Sequence, residues 1–324
     1  MTSALTGKVA PYKKKFGPMP GGIWHAPFPV PQHGVTVADP ETLMQLSFQI
    51  SETSQGPYTA KYRILGTSTN VLNMNKLGLL PTRNYQEGVF EGAELVSGEY
   101  LDAHYKVKKI ACAQCPIACE QMSAAPDGPY KGAMTGVEYE CLFANGPNLG
   151  ISDLRVVIKL IETCDQGGMD AMSGGVTVSW AMETFERGIF TKEDFKCAKY
   201  PEGFEPHFGN AEAAVTLMEM IRDREGIGDL LSKGTRRASQ IVDAERGTET
   251  YKWAMNSKGL ESPGYDARGL KTFSVGVAVG TRGGCHNRSA AYDPDIQGEV
   301  DRFSIDDTRG EIAASSEEYA AVYD

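Results

Sequence analysis

From residue 39 onward the apolar positions recur mostly at three- and four-residue intervals, the period of a helix that buries one face. Asp39-Pro40 opens one such stretch through Ser51, with Leu43, Leu46 and Ile50 in step and Pro40 suited to a first helical position. Ser152-Asp-Leu154 opens another, carrying Leu154, Val157, Leu160 and Ile161 and stopped by Gly167-Gly168. Further helices are predicted over 176–187, halted by Gly188, and from an Asn210 cap through Arg224. One or two more fall between 226 and 239, and a last one over 315–324. Strand signals are short, at Tyr251-Lys-Trp-Ala254 and Val275-Gly-Val277. The expected class is mainly α. Residues 1–35 are rich in Pro and Gly and read as an irregular arm. A change from charged helix to Gly-rich loop near 240–255 divides the rest into 36–245 and 246–324.

Composition narrows the function classes. The chain has 324 residues, enough for two domains with a large core, and is 41% hydrophobic and 23% charged, as globular proteins are. A net charge of -10 leaves no basic face for nucleic acid; the one basic block read here is Lys13-Lys-Lys15. No stretch is apolar and long enough to span a bilayer, and the first residues lack the apolar core of a signal peptide. Seven cysteines, an odd number with three clustered, point to a reducing compartment and metal ligation rather than a disulfide framework, so the expected location is cytoplasmic. Neither a Walker loop nor a G-x-G-x-x-G after a strand occurs.

The cluster is Cys112-Ala-Gln-Cys115-Pro-Ile-Ala-Cys119. Three soft thiolate donors within one turn of chain suit an iron–sulfur cluster; a structural zinc site would want a second close pair, which the other cysteines and five histidines do not supply. A fourth ligand has to come from elsewhere. Three further runs carry candidate chemistry. In Asp165-Gln-Gly-Gly168-Met169-Asp170, a helix end becomes a tight loop able to set backbone amides and a carboxylate against a polar heterocycle; a plain helix cap reads the same way. In Glu138-Tyr-Glu140-Cys141, an acid beside apolar residues can have a raised pKa and serve as a base, or be a solvated acid on a short strand. His286, in Arg282-Gly-Gly-Cys-His286-Asn-Arg288, suits a pocket handling an oxyanion or a proton, though a lone histidine can equally be structural or exposed.

Taken in order, these runs resemble the tungsten-dependent aldehyde ferredoxin oxidoreductase family. To the cysteine motif, Glu138-Tyr-Glu140 and the Asp165 to Asp170 loop are added Trp180-Ala-Met-Glu-Thr-Phe-Glu-Arg-Gly188, Lys258-Gly-Leu-Glu-Ser-Pro-Gly-Tyr-Asp-Ala-Arg-Gly269 and Arg282-Gly-Gly-Cys-His286. The resemblance covers the chain from about residue 35. It implies the helical domains 2 and 3 of that family, with the N-terminal β-rich, pterin-cradling domain missing and Met1 near its end. It also implies a tungsten ion held by two pterins, a [4Fe–4S] cluster, oxidation of aldehydes to carboxylic acids and ferredoxin as electron acceptor.

By that resemblance Cys112, Cys115 and Cys119 are cluster ligands. Asp165, Gly168, Met169 and Asp170 form the first pterin loop, with Met169 in place of the usual Leu. Glu138 is the acid near tungsten, and His286 a proton donor or an orienter of the carbonyl oxygen. Asp324 would open the family's second pterin loop, D-x-x-G-L-C, which supplies the fourth cysteine; a partner chain could supply the missing parts, and without them the chain is expected to be inactive alone. Two other expectations stay open: the tungsten subunit of a benzoyl-CoA reductase type, and a non-catalytic iron–sulfur or zinc-stabilised interaction protein.

Overall fold

The computed structural model describes residues 38–113 and 115–323; the arm at 1–35 and Asp324 lie outside the described residues. Mainly helical structure is what the described chain shows. Helix α1 (Pro40–Ser54) starts where Asp39 accepts from the Thr42 N–H at 3.0 Å. Short helices α2 (Ala60–Leu65), α3 (Asn70–Leu77) and α4 (Gly98–His104) lead into a three-stranded antiparallel sheet in the order β1 (Lys106–Ile110), β2 (Glu120–Ala124), β3 (Met134–Val137). The cysteine motif is therefore the loop between β1 and β2. One residue after β3, helix α5 (Tyr139–Asn145) enters the core. The core is built by α5, α6 (Leu154–Gly167), α7 (Ala171–Glu186) and α8 (Ala211–Asp223). Helices α9 (Ile227–Leu231) and α10 (Thr235–Arg246), a two-stranded pair β4 (Asn256–Ser257) and β5 (Leu260–Glu261), and α11 (Lys271–Val279), α12 (Tyr292–Gln297) and α13 (Thr308–Tyr323) complete it.

The periodic reading holds where burial drives it. On α6, Leu154, Val157, Leu160 and Ile161 are all buried, and Asp153 caps it by accepting from the Arg155 N–H at 2.9 Å. Asn210 caps α8 through the Ala213 N–H at 3.2 Å. Helix α7 begins five residues before the expected 176, because the Asp170 carboxylate accepts from the Ser173 N–H at 2.7 Å and starts it there. Trp180 at its centre is fully buried and donates Nε1–H to the Thr250 carbonyl at 3.2 Å, which ties the 250s back to the core.

Both expected strands are corrected. Thr250–Trp253 is a 3₁₀ turn, because the Asp243 carboxylate accepts from the N–H groups of Thr250 (2.6 Å) and Tyr251 (3.0 Å) and winds the backbone. Val275 to Val277 lie inside α11, whose first N–H groups at Thr272 and Phe273 are capped by buried Asp295 at 2.9 and 3.2 Å. A short apolar run does not distinguish strand from buried helix. The β1–β3 sheet went unread because its first strand, Lys-Val-Lys-Lys-Ile, is an edge with three exposed positions and no apolar alternation.

Helices α5 and α7 cross so closely that a Cβ on Gly175 would sit 2.5 Å from the Ala144 carbonyl oxygen. A Cβ on Gly310 of α13 would meet nothing within 4 Å among the described residues. Gly175→Ala should therefore destabilise by about 2–3 kcal/mol, since backbone cannot yield to the methyl. Gly310→Ala should be neutral or stabilise by up to about 1 kcal/mol through helix propensity. Urea unfolding midpoints of the two variants check both signs.

Candidate functional site

Four segments converge on the ends of α5. The β1–β2 loop brings the cysteines, the β3–α5 junction brings Glu138 and Glu140, the α6–α7 junction brings Asp165 to Asp170, and the loop between α11 and α12 brings His286. Their charges act on one another. The Cys119 thiol is pushed up by burial and by the Glu138 carboxylate, with Cys115 and Cys112 adding to it. Glu120, half-buried, is raised by burial and by Glu138 and Asp165. Burial pushes the Cys141 thiol far up, and Glu138, Asp165, Asp170 and Glu140 push it further.

Cys112 is exposed, and Cys115 and Cys119 are half-buried. The loop turns on itself through the Cys115 N–H to the Cys112 carbonyl at 3.0 Å, and Ala118 takes a left-handed φ of 53°. The donors are chemically right for a soft metal. Among the described residues, however, no group of three or more His, Cys, Asp or Glu side chains converges on a common ion position.

The Asp165 to Asp170 run folds as a helix cap followed at once by a helix start. The Gly168 N–H reaches the Asp165 carbonyl at 3.2 Å and the Met169 N–H the Cys164 carbonyl at 2.9 Å. Asp170 is the N-cap of α7. The Asp165 carboxylate accepts from Thr135 Oγ1 on β3; burial raises its pKa and that bond opposes the rise. Asp165, Gly168 and Asp170 are exposed, so the run presents an open surface.

Glu138 and Glu140 part company over two residues. Glu138, at the N-cap of α5, stays open to solvent and makes no capping bond; desolvation by its surroundings raises its pKa while His286 lowers it. Glu140, inside the first turn, is turned inward. Its Oε2 accepts the Gly264 N–H at 2.7 Å, and its Oε1 is buried without a hydrogen bond among the described residues, 3.6 Å from His286 Nδ1. Burial pushes Glu140 up to about 8, the Gly264 bond opposing and the Asp170 and Glu138 charges adding. Burial pulls His286 down to about 4, against the pull of Glu138. Tyr265 stacks on Tyr292 with ring centres 4.7 Å apart and lies 5.6 Å from the His286 ring.

The sequence reading singled out Glu138 and passed over Glu140 and Tyr265. The signal for Glu140 was available: it is the last charge before Cys-Leu-Phe-Ala, four residues with no polar side that needs water, so an acid there enters the core with its helix. Asp324 lies outside the described residues.

Comparison with known proteins identifies the family. The family described as aldehyde ferredoxin oxidoreductase, domains 2 and 3, matches residues 47–324. The tungsten-containing aldehyde ferredoxin oxidoreductase of Pyrococcus abyssi is 37% identical over 262 residues, covering 80% of this chain and 41% of that protein. The protein of the same name from Thermococcus kodakarensis is 35% identical over 264 residues, with the same coverage of 80% and 41%. An aliphatic sulfonate oxidoreductase, WOR-like subunit, of Pyrococcus furiosus is 31% identical over 214 residues, 65% of this chain and 33% of that one. Among solved structures, the active site complex BamBC of benzoyl coenzyme A reductase with 1,5-dienoyl-CoA superposes with a TM-score of 0.53 at 20% identity, covering 73% of this chain and 35% of that chain, a likeness of fold alone. The chain spans about two fifths of the length of the aldehyde ferredoxin oxidoreductases it matches. With the family match running from inside α1 to the last residue, and relatives more than 30% identical over four fifths of the chain, this protein belongs to the aldehyde ferredoxin oxidoreductase family of oxidoreductases.

Proposed function

We propose that this chain is the helical part of a tungsten–pterin oxidoreductase that converts an aldehyde and water to a carboxylic acid, two protons and two electrons, the electrons leaving through a [4Fe–4S] cluster to a ferredoxin. The observation that carries this reading is the Glu140–His286 pair, a largely buried acid and a neutral imidazole facing each other. On the proposed division at residue 245, each half contributes one member of that pair.

Cys112, Cys115 and Cys119 would hold the cluster, and Asp165 with the Gly168–Met169 backbone and Asp170 would lie against a pterin. When bound, the two groups supply the two-electron chemistry and its one-electron relay. The chain's own residues handle the proton and the substrate. A carboxyl titrating near 8 is matched to proton transfer near neutral pH. On this reading its Oε1, which has no hydrogen-bond partner among the described residues, takes the proton from water attacking the carbonyl carbon. His286 stays neutral above about pH 4, so it can donate a hydrogen bond to the carbonyl oxygen and orient it; a proton donor at pH 7 would need a higher pKa. Glu138, open to solvent between the cysteine loop and His286, is a route for that proton outward.

Metal analysis tests the cofactor reading directly. The purified protein, with any partner chain it carries, should contain iron together with tungsten and pterin and oxidise aldehydes with an artificial electron acceptor. Cys115→Ser should lose most of the iron; full retention, or zinc as the sole metal, rejects the ligand assignment. Glu140→Gln should lower aldehyde oxidation by about 10²–10⁴-fold, the usual size of a general acid–base contribution.

Stability against pH tests the pair without any cofactor. Between about pH 4.5 and 8 folding takes up a proton at Glu140, so its contribution falls as pH rises through that window. Between about pH 4 and 6.5 folding expels a proton at His286, so its contribution rises. The two oppose each other up to about 6.5, and the Glu140 decline stands alone from there to about 8. Denaturant unfolding across pH should show that decline in the wild type and its loss in Glu140→Gln.

A further inference from the structure

Residues 83–85 form a left-handed turn without a glycine: Arg83, Asn84 and Tyr85 have φ of 47°, 54° and 62°. Three consecutive side-chain-bearing residues rarely adopt this region, and they persist only where their surroundings over-determine them. Here they do. The Arg83 and Asn84 N–H groups donate to the Pro147 and Asn148 carbonyls at 3.1 and 3.0 Å. Asn84 Nδ2 donates to buried Glu183 at 2.6 Å and to the Trp253 carbonyl at 2.8 Å, while Ser179 Oγ donates to Asn84 Oδ1 at 2.9 Å. Arg268 Nη2 donates to the Tyr85 carbonyl at 2.6 Å.

The turn aims one side chain at the candidate site. The Tyr85 ring is buried edge-on to Phe143 of α5, and its hydroxyl proton is shared between the Ser262 carbonyl and the Pro263 carbonyl, the latter at 2.9 Å. The next residue of that strap is Gly264, whose N–H is the hydrogen bond held by Glu140 and whose carbonyl accepts from Tyr139. An added Cβ on Gly264 would lie 2.9 Å from the rings of Phe143 and Tyr139, so the strap is pressed flat on α5. Tyr265, following it, faces His286.

We propose that Tyr85 is a positioning residue for the Glu140–His286 pair, its hydroxyl clamping the 262–264 strap so that the Gly264 N–H stays on Glu140 and Tyr265 stays on His286. This rests on the acid–base role proposed for that pair. The groups acting on Glu140 are the Glu138 and Asp170 carboxyls, the His286 ring and its neighbour Cys141. The phenols of Tyr85, Tyr139, Tyr265 and Tyr292 are coupled to it as well, all of them raised and therefore neutral near pH 8. The Gly264 bond favours the ionised carboxylate, so loosening the strap raises the Glu140 titration point.

The test is infrared titration of the Glu140 carboxyl band in the purified chain, assigned by its loss in Glu140→Gln. Tyr85→Phe keeps the ring against Phe143 and removes only the clamp; the midpoint should move up by about one pH unit, the value of one hydrogen bond to a charged group. Ser262→Ala keeps the acceptor carbonyl and should leave the midpoint in place. A folded Tyr85→Phe protein with an unchanged midpoint overturns the proposal, even if its melting temperature drops. Should Tyr85→Phe not fold, Arg268→Gln, at an exposed guanidinium that holds the same turn, decides by the same criterion. The titration reads the carboxyl in the bare protein, so a negative result leaves the metal and aldehyde reading standing. Absent tungsten would likewise leave the clamp standing.

Discussion

A carboxyl group buried, among the described residues, with one hydrogen bond and no cation is the constraint around which this part of the molecule is arranged. An ionised carboxylate in such a place is costly, and a protonated one gives up most of that cost by becoming neutral. Glu140 takes the second course, and every neighbour is consistent with it. The imidazole opposite is held neutral, the surrounding tyrosines keep their protons, and the single backbone N–H leaves one oxygen free. Had an arginine stood there instead, the site would be a structural ion pair with no proton to move.

The rest of the core supplies that contrast. Glu183 on α7 is as deeply buried, yet Arg187 and the Asn84 amide pair with it. Glu261 accepts from the Thr235 N–H and hydroxyl, Asp266 from Arg268, and Asp295 from Thr272 and Phe273. Each of these acids ends in a closed set of donors and fixes a turn or a helix start. Complete pairing marks these as acids that hold the fold, whereas Glu140, the acid proposed to move a proton, keeps one buried oxygen unpaired among the described residues, a feature it shares with Glu317.

Legibility in the sequence followed the strength of the local signal. Helix α6 could be read from its apolar stripe, α8 from Asn210, and the cysteine loop from spacing, because each depends on residues within a turn or two of one another. The 3₁₀ turn at Thr250–Trp253 and the helix over 275–277 could not, because Asp243 and Asp295, which cap them, lie seven and about twenty residues away. Glu138 and Glu140 would share a face on one strand; because β3 stops at Val137 and α5 begins at Tyr139, the helix turns Glu140 inward while Glu138 stays outside, and the sequence does not mark that junction. The clamp from Tyr85 to Ser262 spans 177 residues, and nothing near either end announces it.

The arrangement also separates open groups from shielded ones. Cys112, Glu138, Asp165 and Asp170 are exposed, whereas Glu140 and His286 are largely shielded. Helix α1 belongs to the outer set: among the described residues it buries nothing, with Leu43, Phe48 and Ile50 half or more exposed. An apolar helix face left uncovered in water is unfavourable by the same rule that drives the core together. It is anchored to the cysteine loop at its far end, where Gln55 Nε2 donates to the Pro116 carbonyl at 2.9 Å. That contact joins α1 to the loop that carries the thiols, while Glu140 rides on the first turn of α5 facing His286.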